Sequence, residues 1–208
     1  MAALPTLTDK ALEPIREAVR LTVAELGSTP LIGFAGAPFT LAAYMVEGKP
    51  SRDHLGPRTM MHANPDTWNA LASWAAEASG RFLRAQIEAG ASAGQLFDSW
   101  AGSLSLADYQ EHVQQHSARA YAFVADLAGP VEDPTVPLVH FGTGTSEILP
   151  AMRDAGASVV GVDYRLPLDE AHRRLSSTPG PDGRSAVPVQ GNIDPVSYTH
   201  LTLPTILL

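Results

Sequence analysis

Short apolar runs alternate with longer stretches of helical periodicity along this 208-residue chain. The short runs predict buried strands and the longer stretches predict amphipathic helices. Such alternation is typical of parallel βα units, which occur both in TIM-type barrels and in doubly wound sheets. The predicted strands are residues 31–35, 93–97, 138–141, 158–162 and 186–190. The predicted helices are residues 6–26, 38–46, 65–90, 106–127, 146–155 and 167–175. The segment that contains Gly48, Pro50, Gly56 and Pro57 is a predicted loop, and residues 179–184 are a predicted turn.

Polar and glycine-rich segments directly follow the predicted strands. These segments are residues 36–38, 98–100, 142–144, 163–165 and 191–192. The segments that lead from each helix to the next strand contain mostly Gly, Pro and Asp, without comparable functional groups. In parallel βα folds the functional site lies at the carboxyl ends of the strands, so we expect it at this edge.

The composition excludes several classes of function. The chain has no cysteine, which excludes disulfides, thiolate nucleophiles and cysteine-ligated zinc or iron-sulfur sites. A net charge of -8 and a pI near 5.2 disfavour general nucleic-acid binding. No apolar stretch approaches the roughly 20 residues that span a bilayer, and the N-terminus lacks the features of a signal peptide. We therefore expect one cytoplasmic domain without a nucleic-acid or membrane partner.

The first strand-to-helix corner, Pro30–Gly48, has the clearest local signals. Gly36 allows the backbone to bend, and Pro38 suits the first turn of the following helix. Tyr44 lies about one and a half turns into that helix, where its hydroxyl can face a pocket.

The sequence of this corner resembles the signature of the uroporphyrinogen decarboxylase family, which belongs to the haem pathway. The resemblance extends through further motifs in the expected order, up to Pro195. These motifs are Gly94–Gly102, Val139–Gly144, Val160–Arg165 and Gln190–Pro195. The resemblance implies an α/β fold of the TIM-type (β/α)8 barrel, of which this chain would supply about five consecutive βα units.

The resemblance also implies the chemistry. Members of the family remove carboxyl groups from the acetate side chains of uroporphyrinogen, a tetrapyrrole, and give coproporphyrinogen. The reaction uses no metal and no organic cofactor, because a protonated pyrrole ring accepts the electrons that carbon dioxide leaves behind. An anionic Asp near the pyrrole nitrogens stabilises the cation electrostatically. A homodimer is expected for the full-length enzyme.

Three site residues follow from the resemblance. Tyr44 matches the tyrosine whose hydroxyl lines the substrate cleft, and Ser99 matches the Ser or Thr that hydrogen-bonds a substrate carboxylate. Phe34, at the end of the first predicted strand, is expected to form an apolar wall. Without the resemblance, a half-buried aromatic is the favoured interpretation of Tyr44. For Ser99 a turn cap, and for Phe34 a core residue, stay open beside the functional role.

Some family motifs have no match in this chain. The family pattern begins with an Arg-rich segment after the first strand and an Asp after the second, and it has a Gly-His-Gly-like motif after the last strand. We therefore expect residues 1–195 to be an interior piece of a barrel that is inactive alone. Residues 196–208 resemble translated sequencing-adapter read-through, so we expect them to be a non-native tail.

Two alternatives remain open. The first is a related barrel that transfers methyl groups from corrinoids or to thiols, although such enzymes use zinc sites that contain Cys, which this chain lacks. The second is a non-catalytic remnant that only binds a partner or does not fold.

Other titratable residues favour structural roles. Asp98 and Asp163 each follow a strand directly, and we expect structural pairing for both, with Asp163 bound to Arg165. His140 lies within a strand and is expected to be an interior histidine. His112 and His116 have the i, i+4 spacing of metal ligands, but the zinc-protease pattern is absent, which favours a solvated helix face.

Overall fold

The computed structural model describes residues 4–127, 135–180, 183 and 187–197. Within these residues, five parallel strands form one sheet in which each strand pairs with the next along the chain. The strands are β1 (Ile32–Gly36), β2 (Ala93–Phe97), β3 (Leu138–Phe141), β4 (Val159–Val162) and β5 (Val189–Gly191). A doubly wound sheet reverses its strand order at a switch point, whereas a barrel keeps chain order. The prediction of about five consecutive βα units of a TIM-type barrel is therefore confirmed.

The helices that connect the strands cover one face of the sheet. Two clusters of buried side chains fill the space behind that face, one around Phe39, Trp68 and Met152 and the other around Leu83 and Leu96. The helices are α1 (Asp9–Leu26), α2 (Pro38–Glu47), α3 (Leu55–Ala63), α4 (Pro65–Glu88), α5 (Leu106–His112), α6 (Gln114–Ala122), α7 (Leu149–Asp154) and α8 (Leu168–Ser176).

Local sequence signals explain where the first helices begin and end. Thr8 caps α1 by accepting a hydrogen bond from the Ala11 amide, at 3.3 Å. Pro38 occupies the first turn of α2, where a missing N–H costs nothing, and Gly48 ends that helix with a φ of 66°.

The two faces of the sheet differ in burial. Side chains alternate along a strand, so Ala35 and Leu96 point toward the helices and are 3% and 0% exposed. Ile32 and Phe34 point to the other face and are 42% and 55% exposed. At β1 the face opposite the helices is therefore apolar and exposed, whereas Gln95 and Val139, in register with Phe34 on the neighbouring strands, are buried.

Three sequence predictions differ from the structure. The segment around Gly56 and Pro57 was expected to be a loop but forms α3, because Pro57 lies in its first turns, where it does not break a hydrogen bond. The helix predicted over residues 106–127 is interrupted at the buried Val113, whose φ of -126° lies outside the helical region. Helix α7 begins at Leu149 rather than Ser146, with Pro150 in its first turn.

The remaining predictions are close to the observed bounds or fall on residues without a description. The predicted strand 186–190 is observed as Val189–Gly191, while residue 186 and residues 181, 182 and 184 of the predicted turn 179–184 lie outside the described residues. Of the predicted tail 196–208, residues 198–208 lie outside them too. In the part of the chain that is described, no helix is both long and apolar enough to cross a membrane.

Candidate active site

The segments that follow the strands lie side by side at one edge of the sheet. The amide of Ala37 donates to the carbonyl of Phe97 at 2.8 Å, and the amide of Asp98 donates to the carbonyl of Phe141 at 2.6 Å. The ladder of hydrogen bonds thus continues one residue past β1 and β2. As expected from the sequence, the polar segments meet at the carboxyl ends of the strands.

The loops after β2 and β3 are in direct backbone contact. A Cβ atom at Gly142 would lie 2.6 Å from the carbonyl oxygen of Asp98. A Cβ atom at Gly102 would collide with the carbonyl oxygen of Thr143. Only glycine allows such an approach, so these two positions keep the loops at a fixed spacing.

Tyr44 belongs to a stack of three rings at this edge. Its ring is 46% exposed and stacks on Trp100, with the centroids 3.9 Å apart and an interplanar angle of 20°. The ring of His54 lies against Trp100 as well, at 4.5 Å. Stacking on a large ring restricts the rotation of a tyrosine, so Trp100 holds the Tyr44 hydroxyl in place.

His54 is a buried residue in an uncommon backbone conformation, with a φ of 48°. Its Nδ1 lies 3.1 Å from Ser103 Oγ, and that hydroxyl donates its proton to the carbonyl of Trp100 at 2.9 Å. Because a hydroxyl has only one proton, His54 Nδ1 is the donor in the first bond. Burial lowers the pKa of His54, which favours the neutral ring.

Asp98 is fully buried and joins three elements. Its Oδ1 accepts a hydrogen bond from Thr40 Oγ1 at 3.0 Å, and its Oδ2 lies 3.3 Å from His140 Nε2. Since a carboxylate only accepts, the Nε2 of His140 is the donor. Structural pairing of Asp98 is confirmed, and so is the interior position of His140. Asp98 therefore anchors the loop that contains Ser99 and Trp100, and it does not face solvent.

The negative charge of Asp98 affects the tyrosines around it. Burial raises the pKa of Tyr109 and of Tyr121 well above the usual value, and the nearby charge of Asp98 adds to both shifts. These two phenols stay neutral, and the Tyr121 hydroxyl donates to the carbonyl of Val139 at 3.0 Å.

Asp163 forms a second, more open arrangement after β4. It binds the Arg165 guanidinium at 2.8 Å and accepts the amides of Gly144 and Arg165, at 2.6 Å and 3.0 Å. Burial raises the pKa of Asp163, but these hydrogen bonds outweigh burial, and the pKa is lowered. The expected ion pair is confirmed. Asp163 and Arg165 border a cavity of about 330 Å³ together with Phe141, Tyr164 and Asn192.

Ser99 and Phe34 are both exposed, although they lie in different surroundings. Ser99 directly precedes Trp100, so it shares the loop that supports Tyr44, and its carbonyl accepts the Thr143 hydroxyl at 3.1 Å. Phe34 lies at the middle of β1 rather than at its end. Its ring meets Phe97 edge to face at 5.6 Å on the open face of the sheet, so it is not a core residue.

The pair His112 and His116 does not share a helix face. The interruption at Val113 places His112 in α5 and His116 in α6. His116 is 3% exposed, and burial lowers its pKa to about 4, assisted by the positive charge of Arg119. The expectation of a solvated face is therefore wrong for His116. His112 instead lies beside His62 and Asp108.

Comparison with known proteins identifies the family. The chain matches the family model for uroporphyrinogen decarboxylase over residues 1–205. It is 74% identical over 195 residues to the uroporphyrinogen decarboxylase of Arthrobacter sp. (strain FB24), a match that covers 94% of this chain and 52% of that protein. The chain belongs to the uroporphyrinogen decarboxylase family.

Other relatives agree with this membership. The uroporphyrinogen decarboxylase of Leifsonia xyli subsp. xyli is 60% identical over 190 residues, which covers 87% of this chain and 48% of that protein. The chain thus spans about half the length of the curated uroporphyrinogen decarboxylases it matches. A methyltransferase from Methanosarcina mazei has a similar structure, with a TM-score of 0.66 over 91% of this chain and 63% of its own, at 18% identity. That likeness supports the fold alone.

Within this family, Tyr44, Ser99 and Phe34 stay predicted substrate contacts. The structure places Tyr44 and Ser99 at one edge through Trp100, whereas Phe34 lies farther down β1. Sequence reasoning missed the ring stack, because His54 and Ser103 are 49 residues apart and neither follows a strand. The only local signal was the adjacency of Trp100 to Ser99.

Proposed function

We propose that this chain is part of an enzyme that decarboxylates the acetate side chains of uroporphyrinogen to give coproporphyrinogen. The observation that supports this most is the exposed Tyr44 ring on Trp100, the residue after Ser99, in a chain 74% identical to a protein of that name. Two hydroxyl groups are thereby available at the strand-end edge, where a parallel βα fold holds its substrate.

The substrate chemistry fits the groups at this edge. Uroporphyrinogen combines apolar pyrrole rings with carboxylate side chains, so its site needs an apolar wall and hydrogen-bond donors. Ser99 and Tyr44 supply hydroxyl donors for carboxylates, and a charge-assisted bond of this type is stronger than a neutral one. Phe34, 55% exposed, supplies apolar surface beside Phe97.

In the proposed reaction, a proton adds to a pyrrole carbon, the bond to the carboxyl carbon breaks toward the ring, and carbon dioxide leaves. A second proton then adds to the exocyclic methylene to give the methyl group, and the ring carbon releases the first proton. Asp98 is not the anion that stabilises the cation, because it is 0% exposed and paired with Thr40 and His140. The resemblance assigns that role to an Asp motif that has no match in this chain. The residues here therefore bind and orient the substrate.

The proposal extends to the surroundings of the reaction. We place the enzyme in the cytoplasm, as a homodimer that acts without metal or organic cofactor and without a nucleic-acid partner. Residues 1–195 would form the barrel part and residues 196–208 a non-native tail. The 208-residue chain alone would be inactive, since the open face at Ile32 and Phe34 leaves apolar surface in water.

The test is anaerobic conversion of uroporphyrinogen to coproporphyrinogen by the complete gene product that contains this chain. Tyr44→Phe and Ser99→Ala should each lower kcat/KM by roughly tenfold or more, the value of about one hydrogen bond to a charged group. Ser28→Ala, an exposed serine before β1, is the matched control and should leave kcat/KM unchanged. Full activity of both site variants, or coproporphyrinogen formation by the 208-residue chain alone, would contradict the proposal.

A further inference from the structure

A cluster of three metal-ligating side chains lies between α3 and α5, outside the candidate active site. His62, Asp108 and His112 each offer one ligand atom, and these atoms lie within 4.8 Å of one another. His62 Nε2 is 3.2 Å from Asp108 Oδ1. The rings of His62 and His112 meet edge to face, with their centroids 5.2 Å apart. None of the three residues follows a strand.

The fold holds two of these ligands in place. Asp108 and His112 are one helical turn apart on α5, so their side chains lie on the same face. The Asp108 amide donates to Ser105 Oγ at 3.1 Å, which caps the helix. The carbonyl of His112 accepts the indole N–H of the buried Trp68 at 2.9 Å. The backbone of α5 is thus fixed at both ends.

The third ligand gives access from solvent. The side chains of Asp108 and His112 are 22% and 13% exposed, whereas that of His62 is 60% exposed. A cation can therefore enter from the side of His62 and meet two ligands that are already in position. Preorganised ligands reduce the entropy lost on binding.

The donor set and its spacing suit zinc. Two imidazole nitrogens and one carboxylate oxygen form a known type of zinc site with an open fourth position. With metal-ligand bonds of about 2.0–2.2 Å, tetrahedral geometry places neighbouring ligand atoms roughly 3.3–3.5 Å apart. The 3.2 Å between His62 and Asp108 is close to this value, and the ligand atom of His112 lies within 4.8 Å of both.

We propose that His62, Asp108 and His112 bind a divalent zinc ion that connects the end of α3 to α5. A simple ion pair between His62 and Asp108 would not require a second imidazole beside them, whereas a metal site does. The carboxylate of Glu111, 3.8 Å from His112 Nε2, adds negative charge that favours a cation.

The position of the site connects it to the ring stack described above. Helix α3 begins directly after His54, and α5 begins shortly after Ser103, the partner of His54. The His54–Ser103 bond joins one end of this helix pair, and the zinc would join α5 to the other end of α3. Zinc would then restrict α3 and the histidine that supports Trp100.

The experiment is a zinc titration of the complete gene product, freed of metal with a chelator and followed by isothermal calorimetry. We expect one zinc site per chain. Each of the variants His62→Ala, Asp108→Asn and His112→Ala should bind zinc at least about tenfold more weakly. His172→Ala, an exposed histidine on α8, is the matched control and should bind zinc as the unchanged protein does. Circular dichroism establishes that each variant is folded, and Asp108→Asn retains the shape of the side chain.

Two further readouts separate this site from the decarboxylase proposal, since neither uses activity. Zinc should raise the Tm of the unchanged protein but not that of His112→Ala, because a ligand that binds the folded state stabilises it. Cobalt in place of zinc should give the visible absorption of a low-coordinate site. Equal zinc affinity in the unchanged protein and all three ligand variants, or no saturable binding in the unchanged protein, would overturn the proposal.

Discussion

Asp98 and Asp163 occupy equivalent places, each directly after a strand, yet their surroundings differ. Asp98 is 0% exposed, and its partners Thr40 and His140 are 58 and 42 residues away along the chain. Asp163 is 7% exposed, but its partner Arg165 is only two residues away and has a side chain that is 55% exposed. Asp98 is thus held by side chains of two other βα units, whereas Asp163 accepts the Gly144 amide of the neighbouring loop and otherwise orders its own loop through Arg165. The place of a carboxylate in the βα unit therefore does not determine its role; the origin of its partners does.

The largest effect should come from removing the buried carboxylate. Asp98→Ala leaves the Thr40 hydroxyl and the His140 N–H without an acceptor in a site that water does not reach, so we expect a loss of about 3 kcal/mol or more in the free energy of unfolding. Asp163→Ala should cost about 1 kcal/mol, because water can replace its bonds to the exposed Gly144 amide. Urea unfolding of the complete gene product measures both, and equal losses would contradict the distinction.

The buried His116 and the Asp163–Arg165 pair should lose their contributions to stability in different pH ranges. The pKa of His116 is about 4 in the folded protein and about 6.5 in the unfolded chain, so the unfolded state binds more protons between these values. The contribution of neutral His116 to the free energy of unfolding is then fully present above about pH 6.5. It falls by up to about 2 to 3 kcal/mol as the pH approaches 4. The lowered pKa of Asp163 acts in the same direction, but only as the pH falls below its ordinary value of 3.8.

Urea unfolding between pH 7 and pH 4.5 measures how the free energy of unfolding depends on pH. His116→Leu should flatten the pH dependence in that range, while Asp163→Asn should leave it unchanged. The exposed His172→Gln serves as the control and should behave as the unchanged protein does. A pH dependence that survives in His116→Leu would mean that another group causes it.

A smaller effect is expected from the ring stack beside Asp98. Trp100→Leu removes the surface on which Tyr44 rests, so kcat/KM for uroporphyrinogen should fall by about tenfold, equivalent to about 1.4 kcal/mol. Trp100→Phe keeps a flat ring and should recover part of the loss. Trp74→Leu, at the indole that bonds the Pro5 carbonyl, should leave kcat/KM unchanged. If Trp74→Leu and Trp100→Leu lose equal activity, the stack has no positioning role.

The smallest effect should be at the Asp163–Arg165 pair. The Arg165 side chain is 55% exposed, so Arg165→Gln should change the free energy of unfolding by less than about 1 kcal/mol. The difference should shrink in about 1 M salt, where the Debye length is roughly 3 Å. Arg173→Gln, at an exposed pair with Glu170, provides the comparison. A salt-independent loss of about 2 kcal/mol would place Arg165 in the same class as the partners of Asp98.

Local patterns predicted the strands well and the helix interruptions poorly. The bounds Ala93–Phe97 and Leu138–Phe141 follow from short apolar runs between glycine and proline residues. The break at Val113, a residue that is 0% exposed, does not follow from periodicity. Pro57 beside Gly56 favours a loop in the sequence pattern, although a proline in the first turns of a helix is also compatible with α3.

The candidate site was predictable only where its residues adjoin a strand. Tyr44 and Ser99 follow β1 and β2 within a few residues, so the βα pattern and the family motif located them. The contact of His54 with Trp100 and the cluster at His62 depend on how α3 packs, and α3 itself was not predicted. Contacts between distant segments require the tertiary packing, which local periodicity does not contain.

The glycines at 102 and 142 have a consequence for how such a site can change over evolution. Because the loop after β2 rests on the backbone of the loop after β3 at these glycines, a residue inserted at this contact would displace the neighbouring loop. Insertions there would need a compensating change in the other loop, whereas side-chain replacement elsewhere on the two loops leaves the contact intact.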